Sequence, residues 1–124
     1  LPANTMGTDA DYVLLDLSGE FVSPTGNSRL RVYFGSTVIF DTTALAFTTG
    51  TWRFQAKVTR TSSTDQVAVT TFSGDTTLVP VTGRTAAPAE TMSGAITIKV
   101  TGQGAASDEI FQTDSKIQWW PAAA

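Results

Sequence analysis

The chain has 124 residues, of which 41% are hydrophobic and 15% charged; its net charge is −3, and it contains no His and no Cys. That length suits one domain with a real two-layer core. The acidic balance argues against a nucleic-acid binder, the missing Cys excludes disulfides and thiolate metal sites, and no apolar run is long enough to cross a bilayer as a helix.

Tyr12 to Phe21 alternates Val13, Leu15, Leu17, Gly19 and Phe21 with Asp16, Ser18 and Glu20, the period of a strand with one buried face. Pro24 to Ser28 is a loop, because Pro fixes φ and Gly tolerates positive φ. Leu30, Val32 and Phe34 then alternate with Arg29, Arg31 and Tyr33, and Gly35-Ser36 has the glycine where a type II′ hairpin turn needs it. The return strand, Thr37 to Asp41, holds three consecutive apolar residues, Val38-Ile39-Phe40, which predicts burial on both faces and a subunit contact.

Thr51 to Thr61 is a long strand with Trp52, Phe54, Ala56 and Val58 in one phase. After the Ser62-Ser63 turn, Gln66 to Phe72 is read with Val67 and Val69 inward. Thr77 to Val81 carries Pro80 and belongs at an edge or a strand end. Thr82 to Glu90 reads as a polar loop, Ser93 to Thr101 as a strand, Gly102 to Glu109 as a loop, and Phe111 to Trp120 as the last strand. No stretch has helical periodicity. The expectation is one all-β domain over residues 1–124, a jelly-roll-like antiparallel sandwich of about eight strands in two sheets, forming the C-terminal part of a longer chain. Trp52, Phe54, Val58, Ile96, Ile98, Val100, Ile117 and Trp119 are expected to share its core.

Little here reads as catalysis. Without His the commonest general base is absent, and no Ser or Thr is singled out as a nucleophile. Two carboxylate pairs, Asp9 with Asp11 and Asp108 with Glu109, lie in loops; nothing in the sequence sets the separations that glycoside hydrolysis requires. Calcium suits such oxygen ligands better, but Asp9-Ala10-Asp11 lacks the glycine and the distal glutamate of a calcium loop. No catalytic residue, metal or cofactor is therefore expected.

The aromatics say more. Trp119 and Trp120 are neighbours on a strand and must point to opposite faces. With Ile117 and Trp119 facing the core, Trp120 points outward beside Gln118 and Lys116, and Tyr33 is out of phase with its apolar neighbours. Such aromatics serve as surface cover, as a subunit interface or as a sugar-stacking platform. The interface or ligand candidates are Trp120, Tyr33, Gln118 and Ile39.

Three stretches resemble a β-sandwich domain of tailed-bacteriophage virion proteins. The first is Arg31 to Asp41 with Ala44-Leu45-Ala46 and Gly50 to Phe54, which is similar to a recurrent FGGTxIFDSGALA…GxWRLEATIIRTG pattern. The others are Glu90 to Gly102, and Ala106 to Ile110 before the final aromatic strand. The similarity runs from about Asn4 to Pro121 and contains no catalytic motif. It implies a virion component of a fibre, spike or capsid surface, commonly trimeric. The expected partners are further copies of the chain, other virion proteins and a host-surface glycan, with the loops Pro24–Ser28, Thr82–Glu90 and Gly102–Glu109 making contact. The alternatives are a decoration protein that clamps coat subunits and, behind it, a polysaccharide-degrading enzyme.

Overall fold

The computed structural model describes residues 1–74, 81–86, 89–106 and 109–122. They form eight strands: β1 (Tyr12–Phe21), β2 (Arg29–Phe34), β3 (Thr37–Asp41), β4 (Gly50–Ser62), β5 (Asp65–Gly74), β6 (Val81–Ala86), β7 (Ile98–Gln103) and β8 (Ile110–Trp120). Two antiparallel sheets result, a larger one in the order β6-β5-β4-β1-β8 and a smaller one in the order β3-β2-β7. The nested pairs β1–β8 and β2–β7 are those of a jelly roll, while β4, β5 and β6 form a simple meander beside β1.

The facing sides of the sheets make one core. Val13, Leu15, Leu17 and Phe21 of β1, Trp52, Phe54 and Val58 of β4, and Leu30, Val32 and Phe34 of β2 are all buried. Phe40 bridges the sheets, with ring centroids 5.3 Å from Phe54 and 5.1 Å from Phe72. Phe21 stacks on Phe47 at 4.3 Å. Ile96 is buried as expected, and Ile98 and Val100 pack partly buried against the same cluster.

Two apparent irregularities have local causes. Gly35 sits at φ 62° in the β2–β3 turn, and Ser36 is not in the positive-φ region, as a type II′ turn requires. A Cβ on Gly35 would run into the Glu90 carboxylate that lies over the turn. Within the same hairpin the register shifts, so that Tyr33 pairs with Val38 and Val32 with Phe40, leaving Ile39 as the extra residue of a bulge. The bulge turns Ile39 and Phe40 into the core together, and only Val38 of that triplet faces solvent.

Several expectations need correcting. In β5 the inward residues are Gln66, Ala68, Thr70 and Phe72, while Val67 and Val69 face out. The β4 register imposes this, pairing Phe54 with Phe72 and Val58 with Ala68. In that phase Phe72 enters the aromatic cluster with Phe40 and Trp52, and the polar residue that comes with it is satisfied. Gln66 donates through Nε2 to the Glu90 carbonyl at 2.7 Å and accepts from the Glu90 amide at 3.0 Å, as a peptide group in a ladder would. The expected loop Thr82–Glu90 is a strand as far as Ala86, paired to β5. The strand expected at Thr77–Val81 falls mostly outside the described residues.

The core placement of Ile117 and Trp119 is also overturned: they are 44% and 48% exposed. Their phase is the inward one, since they pair with Leu15 and Val13, whose side chains are buried. The smaller sheet does not reach over them. It meets β8 only near its start, where Gly102 of β7 lies against Ile110.

Two substitutions should separate core from overhang. Phe54→Ala is expected to cost about 3–5 kcal/mol, because its cavity relaxes only in part. Ile117→Ala should cost about 0.5 kcal/mol or less, as a surface change. Urea denaturation of both variants checks the contrast. In the same assay Gln66→Leu should cost about 1–3 kcal/mol, since it leaves the Glu90 amide and carbonyl without their partner.

Candidate functional site

The exposed apolar surface is concentrated on one strand. Of the eight large hydrophobic residues exposed among the described residues, Phe111, Ile117, Trp119 and Trp120 belong to β8. β8 is an edge strand of the larger sheet and pairs only with β1. Its pairing places Trp120 beside Tyr12, Gln118 beside Leu14 and Lys116 beside Asp16, all on the outer face. Trp119 and Ile117 lie on the opposite face.

The outer face is built from rows that cross β8, β1 and β4. Leu14 pairs with Lys57 on its other side, and the Lys57 Nζ lies 4.3 Å from the centroid of the Tyr12 ring, a cation–π contact. Asp16 accepts both the Nε and the Nη2 of Arg53, at 3.1 and 2.8 Å. That bidentate contact, aided by Lys116, holds the Asp16 carboxyl below its ordinary range. Between the rows runs an open groove of about 420 Å3, lined among others by Leu14, Gln55, Lys57, Lys116 and Gln118. Trp120, 46% exposed, stands one row beyond it. The arrangement can stack a flat ring and offer amide and ammonium groups to it. It does not bring a carboxylate pair to bear on one bond.

The sequence candidates do not form a single site. Tyr33 lies on the outer face of the smaller sheet, the far side of the sandwich from Trp120. Lys99 caps its ring at 4.3 Å, and Arg29 and Arg31 share Asp41 nearby. Arg29 holds Asp41 in a bidentate pair that depresses the Asp41 pKa strongly, while Arg31 approaches it only at 3.5 Å. A shallow groove of about 200 Å3 runs past Arg31, Tyr33 and Thr101. Ile39 is buried in the core, so it is not available at a surface.

The carboxylates expected in loops have separate tasks. Asp9 pairs with Arg60 at 2.9 Å. Asp11 is buried and accepts the Thr8 amide at 2.9 Å and the Ala122 amide at 2.6 Å, tying the segment after β8 to the start of β1. Asp108 lies outside the described residues. Glu109 is 4% exposed and reaches across to the loop at Pro24–Ser28, accepting the Thr25 amide at 3.0 Å and its hydroxyl at 2.5 Å. Among the described residues no three His, Cys, Asp or Glu side chains come together as a metal site would require.

Sequence reasoning named Glu109 only as a loop carboxylate beside Asp108 and singled out no role for Glu90. Glu109 joins the loops Pro24–Ser28 and Gly102–Glu109 into one end of the sandwich. Glu90 does the same for the β2–β3 turn, accepting the Ser36 amide at 2.7 Å and its hydroxyl at 2.9 Å. Neither partner is near in sequence, so no local signal marks them.

No known protein family, no curated protein and no solved structure matches this chain.

The Thr25 hydroxyl and amide hold the Glu109 carboxyl below its ordinary range. A depressed native pKa means that the unfolded chain takes up the proton first. The stabilisation is then present above the unfolded value of about 4.3 and is lost as pH falls through the native one. Asp16 and Asp41, both depressed, act in the same direction. Thermal unfolding should therefore show Tm flat from pH 7 to about 5 and falling below about 4. Glu109→Gln should flatten part of that fall; an unchanged acid limb would remove Glu109 from the account.

Proposed function

We propose that this chain is a bacteriophage virion structural protein, a self-associating fibre- or spike-type domain displayed on the particle, where it meets the host surface through glycans. The observation that carries the reading is the exposed aromatic edge. Trp119 and Trp120 face opposite sides of β8 and each is nearly half exposed. A small ligand lying on one face covers only one of them. A neighbouring protein chain seated along the edge covers both, and contiguous apolar surface of this kind marks such contacts. The resemblance to tailed-phage sandwich domains supplies the virion context and the expectation of three copies. The mechanism is presentation: a rigid two-sheet body holds repeated weak contacts in fixed positions, and their number supplies the avidity.

A capsid decoration protein is the second reading, and one observation favours it. The loops at Pro24–Ser28 and Gly102–Glu109 contain no aromatic residue and are clasped to each other through Glu109 and Thr25. A fibre tip that stacks sugars would carry its aromatics there, whereas a clamp would carry them along an edge, as β8 does. The particle itself distinguishes the two. Antibody labelling in electron microscopy should place the protein at a fibre end in the first case and over joints between coat subunits in the second. Trp120→Ala then assigns the tryptophan. Loss of assembly in sedimentation with the fold intact is the expected result. Retained assembly with lost adsorption to host cells would make Trp120 a recognition residue, and retention of both would make it surface cover.

A further inference from the structure

β8 presents to solvent a backbone edge of 11 residues, about 36 Å long at strand rise. Among the described residues no strand lies beside its donors and acceptors on that side, and such an edge is a template for another strand. The side chains narrow the choice of occupant. Asp114 and Lys116 lie two residues apart on the same outer face, paired with Ser18 and Asp16 of β1. They are the charged residues of β8, they are opposite in sign, and Ser115 lies between them. An antiparallel copy of the strand centred on Ser115 sets each Asp114 against the other copy's Lys116, twice, on one face. It also sets small Ser115 against Ser115 on the axis.

We propose that β8 pairs antiparallel with β8 of a second copy of this chain, with Ser115 opposite Ser115, so that two five-stranded sheets become one of ten strands. The charge pattern is self-complementary in this register, and directly opposed unlike charges favour a strand pair. Lys116 would then lie between Asp16 of its own sheet and Asp114 of the second copy. The matched pairing is the central one, from Asp114 to Lys116; beyond it each strand meets the Thr113 bulge of the other, where the faces of β8 invert and Phe111 pairs with outward Glu20. Centring the pair on Ile117 instead sets Asp114 against Trp120 and Lys116 against Gln118, and leaves both charges unmatched. The inference rests on the pattern of the strand and not on the virion reading. The proposed function also seats a neighbouring chain along β8, so the two part on register: crosslinking through 117 and not 115 overturns this twofold pairing and leaves an edge contact standing, whereas a monomer overturns both.

The absence of Cys makes the register testable in the whole protein. Ser115→Cys should give a covalent dimer under mild oxidation at micromolar concentration. Ile117→Cys should not, because in this register its counterpart lies four residues along the partner strand, about 13 Å away and beyond disulfide reach. Asp114→Lys should weaken the dimer roughly tenfold in sedimentation, with two like-charge pairs replacing two unlike ones. Adding Lys116→Asp to that variant should restore it, which a loss of folding could not do. A monomer at tens of micromolar, crosslinking through Cys at 117 but not at 115, or a charge-exchanged variant no better than the single one would each overturn the proposal.

Discussion

A three-stranded sheet cannot cover a five-stranded one, and most of what is unusual here follows from that mismatch. The order β3-β2-β7 lies over β1, β4 and part of β5, where Phe54 and Phe72 meet Phe40 and Trp52 stacks on Phe72. β7 reaches β8 only at the Gly102–Ile110 corner. Beyond that corner the inward phase of β8 has no opposite layer, and Ile117 and Trp119 keep their core-facing direction without a core to enter. The close packing at the near end adds to the constraint. Gly19 lies where the Thr113 bulge sits between the β1 pairings of Gln112 and Asp114, and a Cβ there would collide with the Phe111 carbonyl and the Trp52 indole. The sheet is therefore pinned at one end of β8 and open at the other.

The two-sheet fold was legible because it rests on period two, and period two survives in β1, β2 and β4 with bounds within a residue or so of those expected. What the pattern could not reveal is how many strands stand opposite a given one. Trp119 and Ile117 have the right phase and the wrong surroundings, since coverage is a property of the other sheet. β5 failed for a different reason. Val67 and Val69 are better strand formers than Gln66 and Thr70, but β4 sets the register, and the Gln66 amide finds a peptide partner 24 residues away. Ile39 shows the third limit: consecutive apolar residues suggested two buried faces, and a bulge instead turned two of them to one face.

The candidate site was partly legible on the same terms. Trp120 and Gln118 share the outer face that alternation assigned to them, because outward phase needs no knowledge of the partner sheet. Tyr33 also faces out, but on the other sheet, so the two aromatics never form one surface. The carboxylates were the least readable. Asp11, Glu90 and Glu109 each bind backbone amides brought close by the chain's return, at separations of 111, 54 and 84 residues. They look like loop acids in the sequence and behave as rivets in the fold. This leaves the loops near Thr25 and Ser36 anchored by charge-assisted hydrogen bonds, which suits a body whose ends must keep their shape.

Edge strands show where a sandwich is protected and where it is not. β3 is five residues long and carries the Ile39 bulge, which breaks the regular spacing another strand would need. β7 is six residues long and sets Lys99 on its edge. Both are ordinary defences against stray pairing. β8 is 11 residues long and runs without a register break from Asp114 to Trp120. Its two charges have opposite signs, so they do not repel an antiparallel copy of the same strand. It also carries four large exposed hydrophobic residues, against Val38 alone on β3 and none on β7. An edge that is long and carries exposed aromatics invites aggregation in a free domain. Its length and aromatic load, set beside the short β3 and β7, are explained if the edge is a contact: surface that is a hazard in isolation becomes complementarity once a partner is seated.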